Sequence, residues 1–164
     1  MHTEEVDMGT IDAVLQPGQL EMLRAQYVDA DMIQILSSGM PGLDERTTGY
    51  INAIRSAFYE GCTMAPSDRE RCLIAVLASR DAGFNLAIHI YIGLMTGLSP
   101  QEIADVIFLG GIYTGVDRIS DGLAAEVRTL TVLAGIAVPP RVFTVPQVMQ
   151  ALHGAFTSPP PKSR

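Results

Sequence analysis

Apolar residues recur at helical intervals along most of the chain, and no run alternates with a period of two between turn signals. The pattern predicts an all-α protein. From Gly18, the positions Leu20, Leu23 and Tyr27, then Met32, Ile33 and Leu36, keep helical spacing until Ser37-Ser-Gly-Met-Pro-Gly42 breaks it. Asp44 or Thr47 opens a second helix, with Tyr50, Ile54, Ala57 and Phe58 as its stripe and Gly61 as its end. Ser67 followed by Glu70 reads as a capping box. Cys72, Leu73, Val76 and Leu77 then carry that helix inward until Arg80-Asp-Ala-Gly83.

The stretch from Ala82 to Gly97 is apolar on all sides, too short and too interrupted by glycine to span a bilayer, and reads as a helix buried in the core. Ser99-Pro-Gln-Glu102 forms another capping box with proline at the first helical position, and Ile103, Val106 and Ile107 are the inner face that follows. Gly110-Gly111 would weaken this helix unless another backbone packs close there, and Tyr113-Thr-Gly115 ends it. Asp117 to Ala134 is a further helix through Leu123, Val127, Leu130 and Leu133. A last one starts at Pro146 and carries Val148, Met149, Leu152 and Phe156. Residues 1–17 read as an acidic, weakly patterned arm, residues 18–156 as a single domain, and the Pro-rich residues 157–164 as a disordered tail.

Composition adds two constraints. At 48% hydrophobic and 18% charged residues, with a mean hydropathy of +0.24, the chain is apolar for its 164 residues. Part of that surplus calls for cover by other subunits, so a homo-oligomer with an apolar helical interface is expected, a trimer or a hexamer. The net charge of −7 and the dispersed Lys and Arg argue against a nucleic-acid partner, while one or two local arginines would still bind a small carboxylate. No run of about eighteen apolar residues and no export signal is present, so the expectation is a cytoplasmic protein without a membrane partner. Cys62 and Cys72 do not form Cys-x-x-Cys and read as free thiols, Cys72 within a helix core.

Within the buried stretch His89 is the one side chain that titrates near neutrality, since none between Asp81 and Glu102 carries a full charge. A lone histidine on an apolar helix is commonly a satisfied core residue, so its surroundings decide its role. His2, His89 and His153 have no metal-ligand spacing, and neither a nucleotide-binding glycine motif nor a nucleophile elbow occurs. What remains is an ordered set: Asp68-Arg-Glu-Arg71, His89, Thr96-Gly-Leu-Ser-Pro-Gln-Glu-Ile-Ala-Asp-Val106 and Tyr113-Thr-Gly115.

That set, over about residues 47–135, resembles the carboxymuconolactone decarboxylase and alkylhydroperoxidase D (AhpD-like) superfamily. The resemblance implies an AhpD-like helical domain that assembles into a homo-oligomer. The peroxidase branch carries a Glu, a Cys-x-x-Cys and a His, which here fall on Glu70, on Ala82 and Asn85, and on His89. Both thiols are missing, and peroxide reduction by that route needs an attacking and a resolving thiol side by side. The decarboxylase branch needs no cysteine pair and implies no cofactor and no metal.

By that resemblance His89 is the general acid or base, with Glu70 as its neighbouring carboxylate. Arg71 is the first candidate to clamp a substrate carboxylate, ahead of Arg80 and Arg118. Asn85, one turn before His89, and Tyr113 are the other candidate substrate-binding residues. The sequence after Tyr113, Val116-Asp-Arg-Ile119, departs from the decarboxylases, which have a Pro and small residues there. Two functional readings follow. One is a cofactor-independent decarboxylase or related lyase or isomerase of a small unsaturated or cyclic carboxylic acid; the other is a non-catalytic oligomeric binding module.

Overall fold

The computed structural model describes residues 11–37, 44–80 and 83–157, which carry nine helices and no strand. The expectations placed on residues 1–10, on the break at 38–42 and on the tail after Thr157 lie outside the described residues. In chain order the helices are α1 (Ile11–Val14), α2 (Pro17–Gln26), α3 (Asp29–Ser37), α4 (Glu45–Gly61), α5 (Pro66–Arg80), α6 (Phe84–Met95), α7 (Pro100–Thr114), α8 (Val116–Ile136) and α9 (Val145–Thr157).

The run beginning near Gly18 is two helices, because Tyr27 adopts an extended backbone that ends α2 before Asp29 opens α3. Ile11 of α1 and Leu15 just after it are buried, and α1 packs on α7 and α8. Asp44 caps α4 by accepting from the Thr47 backbone N–H at 3.0 Å. α4 packs beside α3, and Tyr50 and Ala57 of its expected inner stripe are exposed. The side chains of Ile54 and Phe58 lie outside the described residues.

α6 is the axis of the domain, with α2, α5, α7, α8 and α9 packed around it. Its apolar-all-round sequence needs that environment, and Leu86, Ala87, Ile88, Ile90, Tyr91, Ile92, Gly93 and Leu94 are all buried. Gly97 stops the helix at φ +113°, a conformation costly for residues with a Cβ. The Leu98 N–H donates to the Gly93 carbonyl at 2.9 Å and the Gly97 N–H to the Leu94 carbonyl at 3.4 Å. This end is closed from outside by Arg24 of α2, whose Nε donates to the Leu94 carbonyl at 2.8 Å and whose Nη2 donates to the Leu98 carbonyl at 3.0 Å.

α5 turns inward on a different stripe from the one its apolar pattern suggests. Glu70, Ile74 and Ala78 form the buried face, whereas Cys72 and Val76 are exposed and Leu73 and Leu77 are half-buried. The helix begins at Pro66, and Glu70 is not engaged in a capping box with Ser67; its partners are inside the fold. Ser99 and Glu102 do form the expected reciprocal box at the start of α7. Glycine lets α5, α7 and α8 approach: a Cβ on Gly110 would lie 3.3 Å from the Ala75 carbonyl oxygen, and one on Gly122 would lie 2.6 Å from Cγ2 of Ile107.

Removing the clamp on α6 tests this arrangement. Arg24→Ala exposes two carbonyls to the loss of charge-assisted hydrogen bonds, expected to cost about 2 kcal/mol. A thermal melt should fall by roughly 4–8 °C for a domain of this size. An unchanged melting temperature would show that water replaces the guanidinium at no cost.

Candidate active site

The central contact joins α5 to α6. Glu70 has no exposed surface, and its two oxygens have different partners. Oε2 lies 2.8 Å from Nδ1 of His89, and Oε1 accepts from Nε of Arg69 at 3.2 Å. Arg69 is buried at 8% exposure, while the His89 side chain keeps 18%. A carboxylate that already accepts from a guanidinium is an acceptor toward the imidazole as well, so Nδ1 carries the proton. Nε2 has no hydrogen-bond partner among the described residues and is the nitrogen open to a ligand.

The geometry follows from the two helices. α5 and α6 are consecutive and run antiparallel, so the first turns of α5 lie beside the C-terminal half of α6 and Arg80 lies near Gly83 and Asn85. Asn85 and His89 of α6 and its C-cap residue Thr96 fall on one face, spaced by four and seven residues. Asn85 is exposed and borders a hollow shared with Val76, Leu77, Arg80, Gly83 and Phe84. It shares the face of His89 but makes no hydrogen bond with it.

Three other sequence candidates stand apart from the pair. Arg71 points to the joint between α5 and α7, where Nη1 donates to Asp68 Oδ1 at 2.6 Å and Nη2 to Glu102 Oε1 at 2.7 Å. Its guanidinium ties the start of α5 to the start of α7. Tyr113, at the end of α7, is 91% exposed. Arg118 is exposed on the first turn of α8.

Sequence reasoning missed Arg69 and Tyr27. Arg69 reads as a solvated helix residue, yet it adjoins Glu70 on the inner side; its place beside the inward-facing carboxylate of α5 was the available signal. Tyr27 meets the Tyr91 ring edge to face at 5.8 Å between centroids, and its hydroxyl donates to Asp29 Oδ1 at 3.1 Å. Burial, and then the Asp29 carboxylate, hold the Tyr27 phenol above its ordinary range; burial alone does the same for Tyr91. Both stay hydrogen-bond donors. Nothing in the spacing of the first helices marks Tyr27 as a neighbour of this site.

Cys62 is half-buried at the C-cap of α4, and Cys72 is exposed on α5 rather than in a helix core. Neither thiol is on α6 with His89, and both are free. Among the described residues no group of three or more His, Cys, Asp or Glu is placed to hold a metal ion, and no helix is long and apolar enough to cross a membrane.

Fold and site together define an all-helical domain with a buried carboxylate set against a histidine on the neighbouring helix. More particularly, the chain belongs to the carboxymuconolactone decarboxylase family, whose model matches residues 41–126, more than half of the chain. That match contains Glu70, His89 and the capped start of α7. No curated protein and no solved structure matches the chain.

The α5–α7 joint beside the site has a pH signature. Glu102 is held below the usual carboxylate range by hydrogen bonds from Ser99, the backbone N–H foremost, and from Arg71. The unfolded chain takes up this proton first, near pH 4.3, so the contribution is complete above that value and is lost as pH falls through the lower folded value. Glu102→Gln should therefore be less stable than the parent at pH 6, by up to about 1 kcal/mol for a half-exposed pair. In urea melts the difference should shrink toward pH 3; a difference independent of pH would contradict the assignment.

Proposed function

We propose that this protein is a cofactor-independent decarboxylase, or a related lyase or isomerase, acting on a small unsaturated or cyclic carboxylic acid. The observation that carries the reading is the 2.8 Å contact between buried Glu70 and Nδ1 of His89, which leaves Nε2 as the working nitrogen. Membership of the carboxymuconolactone decarboxylase family supports the same reading.

The chemistry can be followed by electron count. When the carboxylate leaves as CO₂, the pair from the broken C–C bond passes into the adjacent unsaturated system and gives an enolate-like anion. His89, protonated at Nε2, delivers that proton to carbon, and solvent restores it. Glu70 fixes the ring through Nδ1 and so aims Nε2, while Arg69 keeps the carboxylate an acceptor. Isomerisation would use the same nitrogen twice, to remove a proton at one carbon and return it at another.

The protein is proposed to work as a homo-oligomer, a trimer or hexamer. Phe108, Leu109, Ile112, Tyr113 and Val116 are large apolar side chains left exposed along α7 and at the start of α8, which supports cover by another subunit. A role for Tyr113 in the site would require that such a neighbour bring its own His89 within reach.

His89→Gln should retain the fold and lose turnover by a factor of about 10²–10⁴ on an acid that the parent decarboxylates. The assay is release of labelled CO₂ from a panel of unsaturated and lactone acids, with circular dichroism as the control for folding. Undiminished CO₂ release by the variant would end the acid–base assignment. A parent protein inert on every acid, with His89→Gln lowering only the melting temperature, would favour the non-catalytic binding module.

A further inference from the structure

The hollow beside Asn85 opens where α5 ends and α6 begins. It encloses about 520 Å³, within the range of small-molecule sites, and is lined by Val76, Leu77 and Arg80 of α5 and by Gly83, Phe84 and Asn85 at the start of α6. None of these lining residues is acidic. Among the described residues the Arg80 guanidinium has no ion-pair or hydrogen-bond partner, and the Asn85 amide has none either. Of the arginines on α5, Arg69 is paired with Glu70 and Arg71 with Asp68 and Glu102, which leaves Arg80 as the cation of this helix open to a ligand. The Glu70 carboxylate stands near the other end of α5, roughly 15 Å along its axis, and does not compete for that guanidinium.

The rest of the lining is apolar. Val76 and Leu77 come from α5 and Phe84 from α6, and the Phe84 ring is met edge to face by His153 of α9 at 5.1 Å between centroids. Such a wall rewards a carbon body, so a small hydrophilic anion would use the cation and leave the wall uncovered. A neutral apolar molecule would cover the wall and leave the guanidinium and the amide without an acceptor. An acid with a carboxylate at one end and an apolar body satisfies both.

Asn85 lies one turn before His89, so a ligand resting on it is about 6 Å along α6 from the imidazole. A body one ring in length carries the far end of the acid from Arg80 toward Nε2. The carboxylate on Arg80 is an anchor and not a leaving group, because the ion pair stabilises the charge that loss of CO₂ would disperse. The reacting carbon is therefore at the far end.

We infer that this hollow anchors the substrate by a carboxylate that does not react, held by Arg80 and Asn85, with an aromatic or unsaturated body against Val76, Leu77 and Phe84. The inference narrows the substrate class of the proposed function and rests on it for the reaction, though not for binding. It moves the clamp role from Arg71, whose guanidinium ties α5 to α7, to Arg80.

The test is an NMR titration of the full-length ¹⁵N-labelled protein with cinnamate, cinnamamide and acrylate, which differ in the charge or in the ring. Cinnamate should move the amide signals of Gly83, Phe84 and Asn85 and bind about fivefold more tightly than either analogue, as expected for one charge-assisted contact at a solvent-facing arginine. Arg80→Gln, at the exposed end of α5, should keep the fold by circular dichroism and lose the preference for cinnamate over cinnamamide. Equal affinity for the acid and its amide, acrylate bound as tightly as cinnamate, a preference that survives Arg80→Gln, shifts centred elsewhere, or no binding would each overturn the inference.

Kinetics separate this outcome from that of the reaction. On an acid that the protein turns over, Arg80→Gln should raise KM about fivefold with kcat nearly unchanged, whereas His89→Gln should lower kcat and bind cinnamate as the parent does. Turnover that depends on His89, with KM indifferent to Arg80, would remove the subsite and leave the reaction. Cinnamate held on Arg80 by a protein inert on every acid would do the reverse.

Discussion

A carboxylate with no exposed surface must be compensated where it stands, and the interior of this protein is built to do that for Glu70. Arg69 answers one oxygen and His89 the other. Each partner gains from the arrangement: the guanidinium has a counter-charge in the interior, and the imidazole has one fixed orientation. Removing Glu70 would take a counter-charge from Arg69 and the fixing contact from the imidazole, so stability and chemistry meet in one side chain.

The rest of the fold supplies the rigidity that this contact needs. α6 carries His89 and is enclosed by five helices, so its rotation is set by packing over nearly its whole circumference. Its C-terminal end is fixed twice, by the backbone closure at Gly97 and by Arg24. α5 carries Glu70, and its start is joined to α7 through Arg71 and Glu102, the latter also capping α7 on Ser99. Arg71 thus serves the pair at one remove, by holding the helix on which Glu70 rides.

Much of this was legible in the sequence where a local rule and a tertiary requirement coincide. The apolar stretch around His89, the capping box at Ser99 and Glu102, and the close approach at Gly110 and Gly111 each have one physical solution, and the structure adopts it. The apolar pattern of α5 points to the wrong stripe because apolar residues usually face inward, and here a charged residue does so with its compensation waiting inside. The same error hid Arg69, which looks solvated until Glu70 is known to be buried. Tyr27 and Asp29 could not be placed at all, since only the folded chain brings the α2–α3 turn to the start of α5. Exposure of Tyr113, Ile112 and Leu109 left the oligomer as an inference from apolar surface.

The most direct test of the account is the tautomer of His89, which requires no substrate. A long-range ¹H–¹⁵N correlation spectrum of ¹⁵N-histidine-labelled protein, with His89→Gln for assignment, reports which ring nitrogen carries the proton when the imidazole is neutral. The account predicts a single form protonated at Nδ1, with Nε2 as the lone-pair nitrogen, and a change in that signature in Glu70→Gln. A neutral His89 protonated at Nε2, or averaging between tautomers like a solvent-exposed histidine, would contradict it.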